Sequence, residues 1–137
     1  MATALDVADY ILRKPRGKMT ATKLQKLVYY CQAWSLVWDN KSLFQEKICA
    51  WFTGPVVPSL YDAHQGKFKV SSVSGGDHRN LKKKQKETID AVLEYYGDRK
   101  SQWLSDLTHM ELPWREAYGR EKPEITRTSM RTYYSRL

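Results

Sequence analysis

The most regular pattern in the chain lies between residues 20 and 40. Thr20 is a good N-cap, and apolar side chains then recur at three- and four-residue steps: Leu24, Leu27, Val28, Cys31, Trp34 or Ser35, and Trp38. A stripe of that spacing extends over about four turns and predicts an amphipathic helix. Tyr30 and Val37 widen it, which makes this helix the central one, and Asp39-Asn40 ends it. Upstream, Thr3 and Asp6 stand in a capping arrangement ahead of Leu5, Ala8 and Leu12, with Val7 and Ile11 beside them. This predicts a first helix stopped by Pro15 and Gly17.

The pattern changes period in the middle. Lys47 to Phe52 alternates around Ile48, Ala50 and Phe52 with Cys49 and Trp51 on the other side, which predicts a short buried strand. Gly54-Pro55 breaks it. Pro58 suits the first turn of a helix running to about Gln65, with Gly66 as a left-handed cap. Phe68 to Val73 supplies a second short strand for pairing, and SGGDH (74–78) is a loop. A helix is expected from Leu81 to Tyr96, closed by Gly97, and a short one from Ser101 to Leu107. Thr108 and Glu111 have capping-box spacing before Pro113, which opens a helix ending near Gly119. A last helix starts near Thr126 or Thr128, with Met130, Tyr133, Tyr134 and Leu137 as its apolar stripe. The expected fold is mainly α: a compact, single-domain helical fold over residues 1–137, with a central long helix and a small two-stranded β element.

Composition narrows the function classes. Apolar residues make up 42% of the 137, with five Trp and nine Tyr, so the chain is not of a disordered type. The start, MATALDVADY, lacks the charged and apolar regions of a signal peptide, and no apolar run approaches the roughly 18 residues that span a bilayer. A soluble, intracellular protein without a membrane partner is expected. Cys31 and Cys49 have no CxxC spacing and read as small core residues. The formal net charge of +8 allows nucleic acid or an acidic protein as partner, with local peaks at RKPRGK (13–18) and RNLKKKQK (79–86).

Catalytic chemistry finds little support. His64, His78 and His109 have no metal-binding spacing, and Asp62 and His64 fall on different faces of a helix. No nucleophile elbow or glycine-rich phosphate loop is present. No catalytic residue, metal or cofactor is expected. For nucleic acid, Thr22, Lys23, Gln25 and Lys26 resemble the base-reading start of a recognition helix, and Lys82, Lys83, Lys84 and Lys86 can meet phosphates. The wide apolar stripe and bulky aromatics of that helix fit burial instead, so nucleic acid is the weaker reading. For protein binding, Trp51, Tyr61, Trp114 and Arg115 lie beside turns, and Tyr133 and Tyr134 straddle one helix face. The same rings serve equally as core, and His109 as a residue fixing a turn. The residues by themselves lead to a small, basic, mainly helical module, a binder rather than a catalyst.

Four blocks in order add a resemblance. TKLQKLVYYCQAWSLVWDNKSLF (22–44), AWFTGPVVPSLYDAHQG (50–66), LSDLTHMELPWREAYG (104–119) and EIT with SMRTYY (124–134) are together similar to the Panacea antitoxin domain, the SocA-like "phage-associated protein" family. One departure is Cys31, where the family commonly has a small residue such as Ala. The resemblance implies an antitoxin that neutralises a toxin encoded beside it, often by direct contact. Toxins paired with this family include translation inhibitors and alarmone-synthetase-like enzymes, and one member delivers its toxin to a ClpXP-type protease. The resemblance thus implies a cytoplasmic location and a cognate toxin as partner, with a protease of that type as the alternative. Contact is expected at the 51–61 turn, at the 109–115 turn with His109, and along the last helix.

Overall fold

The structure, a computed structural model, describes residues 1–15 and 17–137; Arg16, within the first basic peak, lies outside the described residues. Among the described residues there are seven α-helices: α1 (Ala4–Leu12), α2 (Ala21–Trp38), α3 (Pro58–His64), α4 (Lys83–Tyr96), α5 (Ser101–Met110), α6 (Leu112–Ala117) and α7 (Arg127–Tyr134). They are joined by two sheets of two strands each. One pairs β1 (Met19–Thr20) with β4 (Lys69–Val70), and the other pairs β2 (Cys49–Trp51) with β3 (Gly54–Val56). The fold is mainly α, as expected.

Helix α2 is the axis. Every residue from Leu24 to Ala33 is buried, because α4, α7, α5 and β3 all pack against it. Its N-cap is Thr20, whose hydroxyl accepts from the Lys23 N–H at 3.2 Å. Burial all round leaves no polar face, so Gln25, Lys26 and Gln32 are enclosed too. The two glutamines, seven residues apart, have the same task. Gln25 accepts from the Val57 N–H at 2.8 Å and donates to the Val57 carbonyl at 3.3 Å. Gln32 accepts from the Leu43 N–H at 2.7 Å and donates to the Phe44 carbonyl at 2.8 Å. Each amide does for an irregular buried segment what a neighbouring strand does in a sheet. The stripe also ends earlier than its spacing predicts: Trp38 is 51% exposed and stacks on Trp34 at 5.0 Å.

Other expectations need correction. The 47–52 strand does not pair with 68–73. Its partner is 54–56, in the register Cys49↔Val56, Ala50↔Pro55 and Trp51↔Gly54, which leaves Phe52-Thr53 as a two-residue turn. Gly54-Pro55 therefore bends the strand back rather than ending the sheet. Gly54 has φ +128, which a side chain resists, and Pro55 is tolerated in a short edge strand. Residues 69–70 pair instead with Met19–Thr20, beside the start of α2. The Thr108–Glu111 spacing makes no capping box, because Thr108 is inside α5 and donates to the Ser105 carbonyl at 2.9 Å. The same spacing does form a box at Thr3 and Asp6, where each backbone N–H meets the other's side chain, at 2.9 and 3.2 Å. Helix α5 runs on to Met110 rather than Leu107. Helix α4 starts at Lys83, two residues after Leu81, behind a 3₁₀ turn at His78–Asn80. Leu137 lies past α7 and is exposed rather than part of its stripe.

Candidate partner-binding surface

The β2–β3 hairpin gathers four of the candidate side chains from three distant segments. Trp114 on α6 donates from Nε1 to the carbonyl oxygen of Trp51 at 2.8 Å. His109 on α5 places Nε2 at 3.0 Å from the Phe52 carbonyl oxygen. A carbonyl only accepts, so that nitrogen carries the proton. The two props also touch each other, their rings 4.3 Å apart, and Tyr118 stacks on Trp114 at 4.5 Å. On the other side of the hairpin, Trp51 meets Tyr61 edge-on at 5.0 Å, and Tyr61 meets His64 at 5.4 Å. Between the two groups the hairpin projects Phe52, 79% exposed. Arg115 is exposed next to Trp114 on α6.

Beneath the hairpin lies a cleft of about 470 Å³, lined by Trp51, Tyr61, His64, Gln25 and Lys26 among others. The orientation of Gln25 is fixed by the Val57 N–H, so its Nε2 faces both Val57 O and the ring of His64 at 2.9 Å. His64 Nε2 therefore accepts, and the imidazole is neutral. Burial pushes its pKa down in the same direction. Lys26 is 1% exposed. Its one hydrogen bond runs to the Thr22 carbonyl at 3.4 Å, and among the described residues no ion pair involves it. Loss of water lowers its pKa from 10.5 to about 8. Gly54 makes room for this side chain: a Cβ there meets Lys26 Cε at 3.1 Å and Thr108 Oγ1 at 3.2 Å.

Tyr134 does not belong to the surface. It is 1% exposed and donates to Glu111 Oε1 at 2.7 Å. Tyr30 donates to the same oxygen at 2.7 Å, and Tyr29, 2.9 Å from the Tyr134 hydroxyl, donates to it because that proton is already committed. Two phenols thus donate to one buried carboxylate, and a third donates to one of them. Burial raises the Glu111 pKa, while the hydrogen bonds from Tyr30 and Tyr134 oppose the rise. The phenols themselves are pushed well above their usual range by burial. Tyr133 is half-buried on α7 and edge-on to Tyr134 at 5.0 Å.

The nucleic-acid candidates divide as well. Lys82, Lys83 and Lys84 are exposed and Lys86 half-buried around the start of α4, with Lys84 3.9 Å from Asp39. Gln25 and Lys26 are buried and line the cleft beneath the hairpin rather than an outer face of α2. Cys31 is buried, Cys49 half-buried, and both are free thiols. Among the described residues, no group of three His, Cys, Asp or Glu gathers to hold a metal ion, and no helix is long and apolar enough to cross a membrane. Sequence reasoning missed Lys26 and Gln25 as buried groups. The signal was there: on a helix apolar on all sides, polar residues have no face to solvent.

The molecule is thus a helical module with an apolar core, a few enclosed polar groups along α2 and an aromatic cluster at one hairpin. The family model for the SocA-like antitoxin, Panacea domain, matches residues 24–115, more than half of the chain, and the chain belongs to that antitoxin family. The matched span opens on α2, includes the whole hairpin and closes at Arg115; the block at 124–134 lies outside it. No curated protein and no solved structure matches the chain. A family of antitoxins implies a toxin as partner.

Proposed function

We propose that this chain neutralises the toxin encoded by its adjacent gene by direct protein–protein contact that covers the toxin's active site. It does so without chemistry of its own. The contact is centred on the hairpin, with Phe52, Trp51, Tyr61, Trp114 and Arg115 as its anchors and His109 as a prop.

One observation carries this reading. A phenylalanine is held in solvent at the tip of a hairpin in which the last strand carbonyl and the first turn carbonyl are each fixed by a ring, Trp51 by Trp114 and Phe52 by His109. Exposing a large ring on a braced stem gives folding nothing. It lowers the ordering cost of association, and aromatic and Arg side chains dominate the energetics of protein interfaces. The surplus of positive charge favours an acidic partner surface and speeds encounter.

The test is co-expression of the adjacent gene with and without this chain. The neighbour alone should arrest growth, this chain should restore it, and Phe52→Asp should fail to restore it while keeping its thermal midpoint. Absence of arrest, or full rescue by Phe52→Asp, defeats the proposal. Toxin levels should stay constant during rescue. A toxin half-life shortened only when a ClpXP-type protease is present would replace neutralisation by delivery to that protease.

A further inference from the structure

The cleft beneath the hairpin holds a feature that folding does not account for. Lys26 is enclosed, has room for three donated hydrogen bonds, and makes one long one. No Asp or Glu lines the cleft. A buried ammonium is costly without an opposite charge, and a methionine at this position fills the same volume without that cost. Meanwhile Gly54 is held at a positive φ and leaves the space that the Lys26 stem occupies. The hairpin is thus shaped around a cation that the described residues leave without a counter-ion.

The other lining groups define what fits. Gln25 is fully used by Val57 and His64, and the His64 ring is neutral, so neither competes for nor repels an anion. Trp51 and Tyr61 form an aromatic wall on which methylene groups pack. Lys67 adds a second, exposed cation to the lining. One buried ammonium between apolar walls matches a single carboxylate on a short aliphatic stem. A phosphate dianion is best held by an Arg fork, and no arginine lines this cleft.

We propose that the cleft is a carboxylate-binding site, and that it receives an acidic side chain of the partner toxin, which pairs with Lys26 Nζ against the Trp51–Tyr61 wall. The identity of the occupant rests on the antitoxin reading, whereas the site itself does not. The exposed Phe52 and the enclosed Lys26 then act on the same partner, one as an apolar anchor and the other as the charge that fixes register.

The site is tested on the isolated chain by NMR titration at constant ionic strength. Three probes are compared: N-acetyl-glutamate N-methylamide, the matching glutamine compound, and inorganic phosphate. The glutamate probe should give saturable shifts at the Trp51 indole and the His64 ring, and Lys26→Met should weaken them by about tenfold or more. Lys26→Met retains volume and loses a desolvated charge, so it should fold. Absence of saturation, equal binding by Lys26→Met, or tighter binding of phosphate or the glutamine probe overturns the site. In co-expression, Lys26→Met should lose rescue. Rescue retained by this variant overturns the docking of the toxin there. A neighbour that never arrests growth defeats the antitoxin reading and leaves the titration result standing.

Discussion

The indole N–H of Trp114 reaches the carbonyl of Trp51 at 2.8 Å across 63 residues of sequence. That bond fastens α6 to the hairpin and fixes the angle at which Phe52 is presented. Trp114→Phe keeps an aromatic ring but removes the donor. It should lower stability by about 1 to 2 kcal/mol in urea unfolding. It should also weaken rescue more than that loss explains, because the stem of the contact surface is loosened.

Gly54→Ala tests the space beneath the hairpin. The positive φ is unfavourable for alanine, and its methyl group presses on Lys26 and Thr108. A loss of about 2 kcal/mol or more is expected. Double substitution with Lys26→Met should recover part of it, since a thioether end yields more easily than an ammonium tethered to the Thr22 carbonyl. Additive losses in the double-mutant cycle would show that the two positions are not coupled.

Lys26 itself sets a pH dependence. Its pKa falls from 10.5 to about 8 in the fold. The unfolded chain therefore binds more protons between those values, and the Lys26 contribution to stability rises as pH increases through that window. Below about pH 8 the full penalty is present. Lys26→Met should accordingly be more stable than the parent at neutral pH, by on the order of 2 to 3 kcal/mol. The gap should narrow toward pH 10, and a gap that does not change with pH would contradict burial of a charged amine.

Glu111 works in the opposite direction. Its pKa is raised by burial, so stability falls as pH climbs from the ordinary carboxylate value to the raised one. Glu111→Gln removes that fall, and its unfolding free energy should change less between about pH 4 and pH 7 than that of the parent. Glu111→Ala leaves the Tyr30 and Tyr134 hydroxyls without their acceptor and should cost about 3 kcal/mol or more.

Much of this frame was legible in the sequence, because local signals agreed with the tertiary outcome. Thr20 capped a helix whose apolar spacing was already unambiguous, and Thr3 with Asp6 formed the box that their spacing implies. The misreadings share one cause. Thr108 and Glu111 carry the same local signal as Thr3 and Asp6, yet Glu111 is claimed by phenols 81 and 23 residues away. Gly54-Pro55 reads locally as a stop, and only the pairing of Ala50 with Pro55 makes it a return strand. Of the proposed contact residues, Trp51, Tyr61, His109 and Trp114 meet at one hairpin, while Tyr134 faces the core. Burial of one Tyr and half-exposure of the next follow from helix rotation about neighbours that no local pattern records. The enclosure of Lys26 runs against the rule that a lysine is rarely buried without a partner, which no local pattern overrides.

The paired glutamines on α2 carry a kinetic consequence. The amide protons of Leu43, Phe44 and Val57 are held by side chains of that helix rather than by a sheet. They reach solvent only when α2 itself leaves its place, and α2 touches nearly every other element. Their hydrogen exchange should therefore follow global unfolding and not local fraying. Segments without regular structure would then be among the slowest-exchanging parts of the molecule.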